Sequence, residues 1–257
     1  SALLCFWKLA HMTTLFDLRL HHLKLTRRHA VRIFKLGLPS GITQMIFSSA
    51  MIVVQSLTNC FGEMLIAANV IVMRVDGFAM MPNMSFGTAM TTYAGQNVGA
   101  QRYDRVGLGA KQGTILAVGC SATITVIILL FGKYLMRIFT DTPELIELAY
   151  DMMTLMAVGY LAVSITQVLG GVMRGCGDTV TPMWISIFST VVLRIPTAYV
   201  IAYLTRSAEF PNGHPFALSI SLLVSWTMGM IISVIAFRWG KTRKMIRAKM
   251  EKQAIAE

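Results

Sequence analysis

The chain has 257 residues, 55% of them hydrophobic and only 14% charged, with a net charge of +11. Soluble domains carry about 25% charged residues, so the composition excludes an ordinary soluble enzyme or binding module and points to a membrane protein. The basic surplus is no nucleic-acid footprint either, because it is confined to particular loops between apolar runs.

In chain order, SALLCFWKLA (1–10) reads as the end of a membrane span. Residues 11–35 mix Leu, Phe and Ile with Arg, Lys and His, which suits an amphipathic helix at the inner membrane face. In LGLPSG, Leu38 precedes a proline and is biased away from helix, so Pro39 is expected in the first turn of a span. Uncharged stretches run 36–62, 112–132, 152–173 and 210–237. Each exceeds the roughly 18 residues that mark a spanning helix. Two more, 64–94 and 179–205, are interrupted by Arg74 and Asp76 and by Arg194. No run alternates as a membrane β-strand does. The expectation is an all-α bundle of six spans, at about 39–61, 64–94, 108–138, 144–174, 181–205 and 215–238. Pro143 is placed to start the fourth, and a basic tail (239–257) follows the sixth.

Lysine and arginine number seven in 1–35, three in 94–111 and seven from Arg238 onward, with Arg174 in a further turn. The other loops hold only Lys133, Arg137 and Arg206. The positive-inside rule then puts both termini and the turns at 94–111 and 174–178 in the cytoplasm. Cys5, Cys60, Cys120 and Cys176 show no metal-ligand spacing and read as buried small hydrophobes. Neither a metal site nor a cofactor is expected.

Two polar turns stand out between the greasy segments. In TTYAGQNVGA, Gly95 or Gly99 can take a left-handed helix cap, while the amides of Gln96 and Asn97 can donate to the last carbonyls. In VMRGCGDTVTP, Gly175 and Gly177 stop a span and Thr181–Pro182 starts the next. Arg174 sits at a helix C-terminus, where its charge is favoured, close enough in sequence to Asp178 to pair with it. Taken alone, each is a well-made turn.

Together, in this order and on one topological side, GQNVGA, MRGCGDTVTP and the entering LGLP resemble the multidrug and toxic compound extrusion (MATE) transporters. The resemblance covers essentially the whole chain. It implies twelve spans in two six-helix lobes, with this chain as the C-terminal lobe, 1–10 as the end of the sixth span and 11–35 as the inter-lobe linker. It further implies an antiporter, not an enzyme, driven by Na⁺ or H⁺. Organic, often cationic, drugs or toxic metabolites would leave by alternating access. The partners implied are an N-terminal lobe, membrane lipid and a small organic substrate, with no nucleic acid. The setting implied is a bacterial-type inner (plasma) membrane. Alternatives are a related flippase for lipid-linked saccharides and a non-transporting half-protein.

Charges at membrane depth are costly and mark function. Asp76, Arg74 and Arg194 are therefore candidates for the transport path or an ion pair, with Asp76 expected to pair with Arg194. Gln44, Gln55, Asn69, Asn83, Thr166 and Gln167 add uncharged polarity and can each line a cavity or glue helices, with Gln44, Asn69 and Gln167 also candidates for the path. Pro82 and Pro196 are candidate kinks that free carbonyls. Some MATE members bind the coupling cation through acids on the spans matching 39–61 and 144–174. Those interiors lack acids here, Gln44 and Gln167 being the nearest polar groups, while Glu147 and Asp151 lie at the outer end of the fourth span. An intramembrane enzyme would need a His/Asp/Glu constellation at membrane depth, and the histidines lie outside the spans or at an edge.

Overall fold

The computed structural model describes Leu4, Trp7 and residues 26–207, 211–214 and 216–256. Apart from Leu4 and Trp7, the expected span end at 1–10 and most of the expected linker at 11–35 lie outside the described residues. Among those described, every regular element is helical: α1 (Arg27–Asn59), α2 (Glu63–Gly99), α3 (Tyr103–Arg137), α4 (Pro143–Gly175), α5 (Val180–Ile187), a π-helical segment (Phe188–Arg194), α6 (Ile195–Leu204), α7 (Ala217–Trp239) and α8 (Lys241–Ala256). Among the described residues six stretches are long and apolar enough to cross a membrane, and α5, the π segment and α6 together make one of them.

The first helix begins well before Pro39, which lies in its interior. The bias of Leu38 against helix is outweighed here. Breaking a helix in an apolar setting strands more backbone groups than one proline does. The Thr43 hydroxyl donates to the Pro39 carbonyl at 2.9 Å. The contacts divide the chain within this helix, into Ser1–Leu38 and Pro39–Glu257.

α4 is the central pillar of the second unit, packing against α2, α3 and α7. Two apolar clusters surround it. One gathers Tyr160, Met152, Met153 and Met156 with Val72 and Leu222. The other gathers Val168 and Val172 with Tyr103, Val106 and Ile246 of α8. Outward, Ile115, Leu116, Leu130, Phe131 and Trp184 are exposed, the surface a lipid-facing helix needs.

Small residues bring α2 and α4 together. Gly87, Thr91 and Gly95 recur every fourth position on α2, facing Gln167, Gly171 and Gly175 on α4. A Cβ on Gly171 would strike the carbonyl oxygen of Gly87, and one on Gly175 that of Thr91. Such four-residue spacing of small side chains is how membrane helices approach backbone to backbone. Hydroxyls on α2 are satisfied within the helix: Ser85 donates to Met81 O at 2.9 Å, Thr88 to Met84 O at 3.1 Å and Thr91 to Gly87 O at 2.9 Å. Other hydroxyls tie helices together, two of them on α3. Ser121 donates to Asn83 Oδ1 at 2.8 Å, and Thr125 to the Ala157 carbonyl at 2.8 Å.

Both polar turns close in the same way. At the end of α2, the Arg102 N–H bonds Asn97 O at 2.8 Å and the Gln101 N–H bonds Val98 O at 3.1 Å. At the end of α4, Asp178 N–H bonds Met173 O and Gly177 N–H bonds Arg174 O, both at 2.9 Å. This paired pattern is the Schellman motif. The left-handed residue is Gly177 in the second turn, but Gln101 (φ 59°) in the first, not Gly95 or Gly99. The helix simply continues through Gly95 to Gly99, with Ala100 as its cap. Asn97 donates to Tyr93 O at 2.8 Å, so one of the two expected amides meets a carbonyl of the last turns.

Candidate transport cavity

A cavity of about 460 Å³ opens between α1, α2, α4, α5, the π segment and α7. Its apolar wall includes Phe47, Met80, Met84, Val163 and Trp226. Hydroxyls and amides form the rest: Thr43, Gln44, Thr88, Thr166, Gln167, Ser186, Thr190 and Ser225 among them. Among the described residues, two charges reach it, Arg174 and Arg194, and no acid lines it.

Arg194 is placed there by an irregular backbone. It closes the π-helical segment, and Pro196 follows two residues later. Pro196 has no N–H to give, so the helix registers slip by one residue at that level. The segment is braced from α7, where the Ser225 hydroxyl donates to Ser189 O at 2.7 Å. Pro82 sits inside α2 without breaking it.

The expected Asp76–Arg194 ion pair does not form. No Asp76–Arg194 contact closes to 4 Å, although the two charges sense each other electrostatically. Asp76 instead accepts a hydrogen bond from the Tyr160 hydroxyl at 2.7 Å, and Tyr160 stacks at 5.8 Å from Trp226 of the cavity wall. Arg194 is 9% exposed, its Nε is buried without a hydrogen-bond partner, and Nη1 meets only Met51 Sδ at 3.8 Å. Arg74, two residues from Asp76, is exposed and turned elsewhere.

Arg174 and Asp178 do not pair either. The Asp178 carboxylate accepts the Thr181 N–H at 3.2 Å, the Thr181 hydroxyl at 2.8 Å and the Thr242 hydroxyl at 3.0 Å. It therefore caps α5 from Asp178 and pins the start of α8, the role sequence reading gave to Thr181. The Arg174 guanidinium folds back toward Gly170 and into the cavity. Cys176, just past α4, is buried, and burial together with the Asp178 charge pushes its thiol from 9.0 up to about 11.

Of the sequence candidates, Gln44, Gln167, Arg174 and Arg194 come together around the cavity, whereas Asp76, Arg74 and Asn69 are not in its lining. Asn69 reaches only Met73 Sδ of its own helix at 3.8 Å. Gln55 bonds Asn59 at 3.1 Å on the surface. Glu147 forms an exposed pair with Lys133 at 2.6 Å. Tyr160 and Trp226 were not singled out from sequence. Their only signal was an aromatic with a polar tip inside an apolar run, which needs a partner once buried.

The MatE family model matches residues 39–200, more than half of the chain, and the chain belongs to that family. It is 27% identical over 222 residues to "Probable multidrug resistance protein YoeA" of Bacillus subtilis, covering 86% of this chain and 47% of that protein. It is likewise 27% identical over 223 residues to "Probable multidrug resistance protein NorM" of Thermotoga maritima, covering 87% and 45%. Among solved structures, an outward-facing multidrug resistance MATE family transporter of the MOP superfamily matches with a TM-score of 0.81 at 19% identity, over 97% of this chain and 54% of that one. The chain spans about half the length of these relatives.

Proposed function

We propose that this chain is one lobe of a multidrug exporter that works by alternating access, driven by inward flow of Na⁺ or H⁺. The cavity carries this reading. It is of the size that takes drug-like molecules, it is lined from five of the six stretches long and apolar enough to cross a membrane, and its wall mixes adaptable methionines and aromatics with hydroxyls. Relatives named as multidrug resistance proteins support it. The other lobe, N-terminal to this one, would close the pathway. The expected place is a bacterial cytoplasmic membrane, with the α2–α3 and α4–α5 turns facing the cytoplasm.

A cationic substrate would have to find its acids outside this cavity, since the lining holds none. Two arginines at the wall also keep the lipid-linked saccharide flippase as a second reading, because a pyrophosphate needs such donors. The test is transport by the complete two-lobe protein in proteoliposomes, loaded with ethidium or Hoechst dye and given a Na⁺ or a proton gradient in turn. Dye movement that follows one of the gradients supports the exporter. Dye indifferent to both, with movement of a lipid-linked saccharide, moves the assignment to the flippase.

A further inference from the structure

We propose that the cavity contains an oxyanion subsite centred on Arg194, so that this lobe accepts amphiphilic organic anions, an oxyanion head on an apolar body. The proposal rests on the cavity being the transport site.

Arg194 is a cation in search of a partner. Its side chain is nine-tenths buried, yet its Nε has no acceptor and Nη1 touches only a thioether sulfur. A buried guanidinium without an anion is expensive, and sulfur is a weak acceptor. The nearest acid that influences it, Asp76, already accepts from Tyr160 and does not reach it. The charge is therefore open toward the cavity, which it lines.

The surroundings fit an oxyanion rather than a cation. Among the described residues no Asp or Glu lines the cavity, and Thr190 adds a hydroxyl from the same segment as Arg194. A guanidinium presents two parallel N–H donors, the geometry of a carboxylate, sulfonate or phosphate. The rest of the wall is apolar, with Phe47, Met84 and Trp226. A small inorganic anion would leave that surface unused, whereas an aryl or alkyl body would cover it.

Trp226 supplies a reporter on the spot. In the purified chain in phosphatidylcholine nanodiscs, with Trp7, Trp184 and Trp239 each replaced by Phe, Trp226 emission would be titrated with 1-naphthyl phosphate. The same titration would use 1-naphthol and a 1-naphthyl trimethylammonium cation, which share the ring and differ in the head. The expected result is saturable quenching by the phosphate, weaker by about tenfold or more in Arg194→Gln and by less in Arg194→Lys. Arg194→Met, which keeps an unbranched chain and removes the charge, is expected to weaken it equally, which gives a second variant should Arg194→Gln fold poorly. Cation binding as tight as phosphate binding, or a phosphate affinity indifferent to both Arg194→Gln and Arg194→Met, overturns the proposal. Competition when phosphatidylglycerol is added to the nanodisc assigns the oxyanion to a lipid headgroup, and its absence to a free organic anion; either supports the subsite. Binding is read without transport. Intact binding with no export by the complete protein therefore rejects the exporter and keeps the subsite, and intact export with binding indifferent to Arg194 does the reverse.

Discussion

Asp76 is the single residue with most at stake. A carboxyl in the interior of α2, held by one tyrosine hydroxyl, is the kind of group that intramembrane transport uses. In the complete protein, Asp76→Asn is expected to impair dye export well beyond Gln55→Ala, since Gln55 is half-buried and bonds only its own helix. Equal export by the two at matched expression would remove Asp76 from the mechanism. Cys176 gives a cleaner reading. Its thiol, raised from 9.0 to about 11, is protonated in the folded chain over a range where an unfolded one has ionised. The neutral form favours the fold, so its contribution is complete below pH 9 and is lost as pH rises through about 11. Iodoacetamide should thus label Cys176 slowly at pH 8 and faster toward pH 11, and a rate that levels off near pH 9 would contradict it. At the α2 end, Gln101 holds a left-handed conformation that costs an ordinary side chain roughly 1–2 kcal/mol. Gln101→Gly should stabilise the chain by about 0.5–1 kcal/mol, seen as a higher unfolding midpoint in detergent.

Among the elements, the α2–α4 seam bears the heaviest constraint. Gly171→Leu forces a side chain into the backbone of Gly87, and its cost should exceed the 1–3 kcal/mol of ordinary overpacking. Gly119→Leu, at a site with open space, is the control, and thermal stability in nanodiscs separates the two. The pinning of α8 is testable too. Asp178→Ala removes the acceptor for Thr181 and Thr242 and should release α8 to proteolysis, whereas Asp178→Asn keeps a carbonyl oxygen there. The helices themselves were legible in the sequence, because runs of uncharged residues cannot be anything else in a bilayer. The partners of the polar residues were not. Spacing places Asp76 and Arg194 at similar depth, but which face each presents depends on the π segment, and nothing in FSTVVLR signals that change of register. Pro39 misled for a related reason: a proline's preference is local, and the cost of breaking a long apolar helix is not. Arg174 and Asp178 looked like a pair from four residues apart. The threonines nearby, including one in α8 that is 64 residues distant, took the carboxylate first.

The whole lobe is organised around a pillar that cannot shift easily and a broken helix that can. α4 is gripped by α2 at backbone distance, while α5, the π segment and α6 divide one crossing into three pieces. Motion of a substrate through the cavity is therefore expected to flex the Phe188–Arg194 stretch rather than the seam. Deuterium exchange of the complete protein should be fastest there among the crossing helices, and uniform protection along that crossing would argue against it. The seam has another consequence, which belongs to the birth of the protein. Asp76 and Tyr160 are 84 residues apart, and the glycines of the seam are spaced alike. At a synthesis rate of about 5–20 residues per second, α2 enters the bilayer roughly 4–17 s before the helix that will shelter its acid exists. For that interval its carboxyl and its row of small residues stand open to lipid or to the insertion machinery. The lobe is completed out of order, with an early helix kept waiting for a late one.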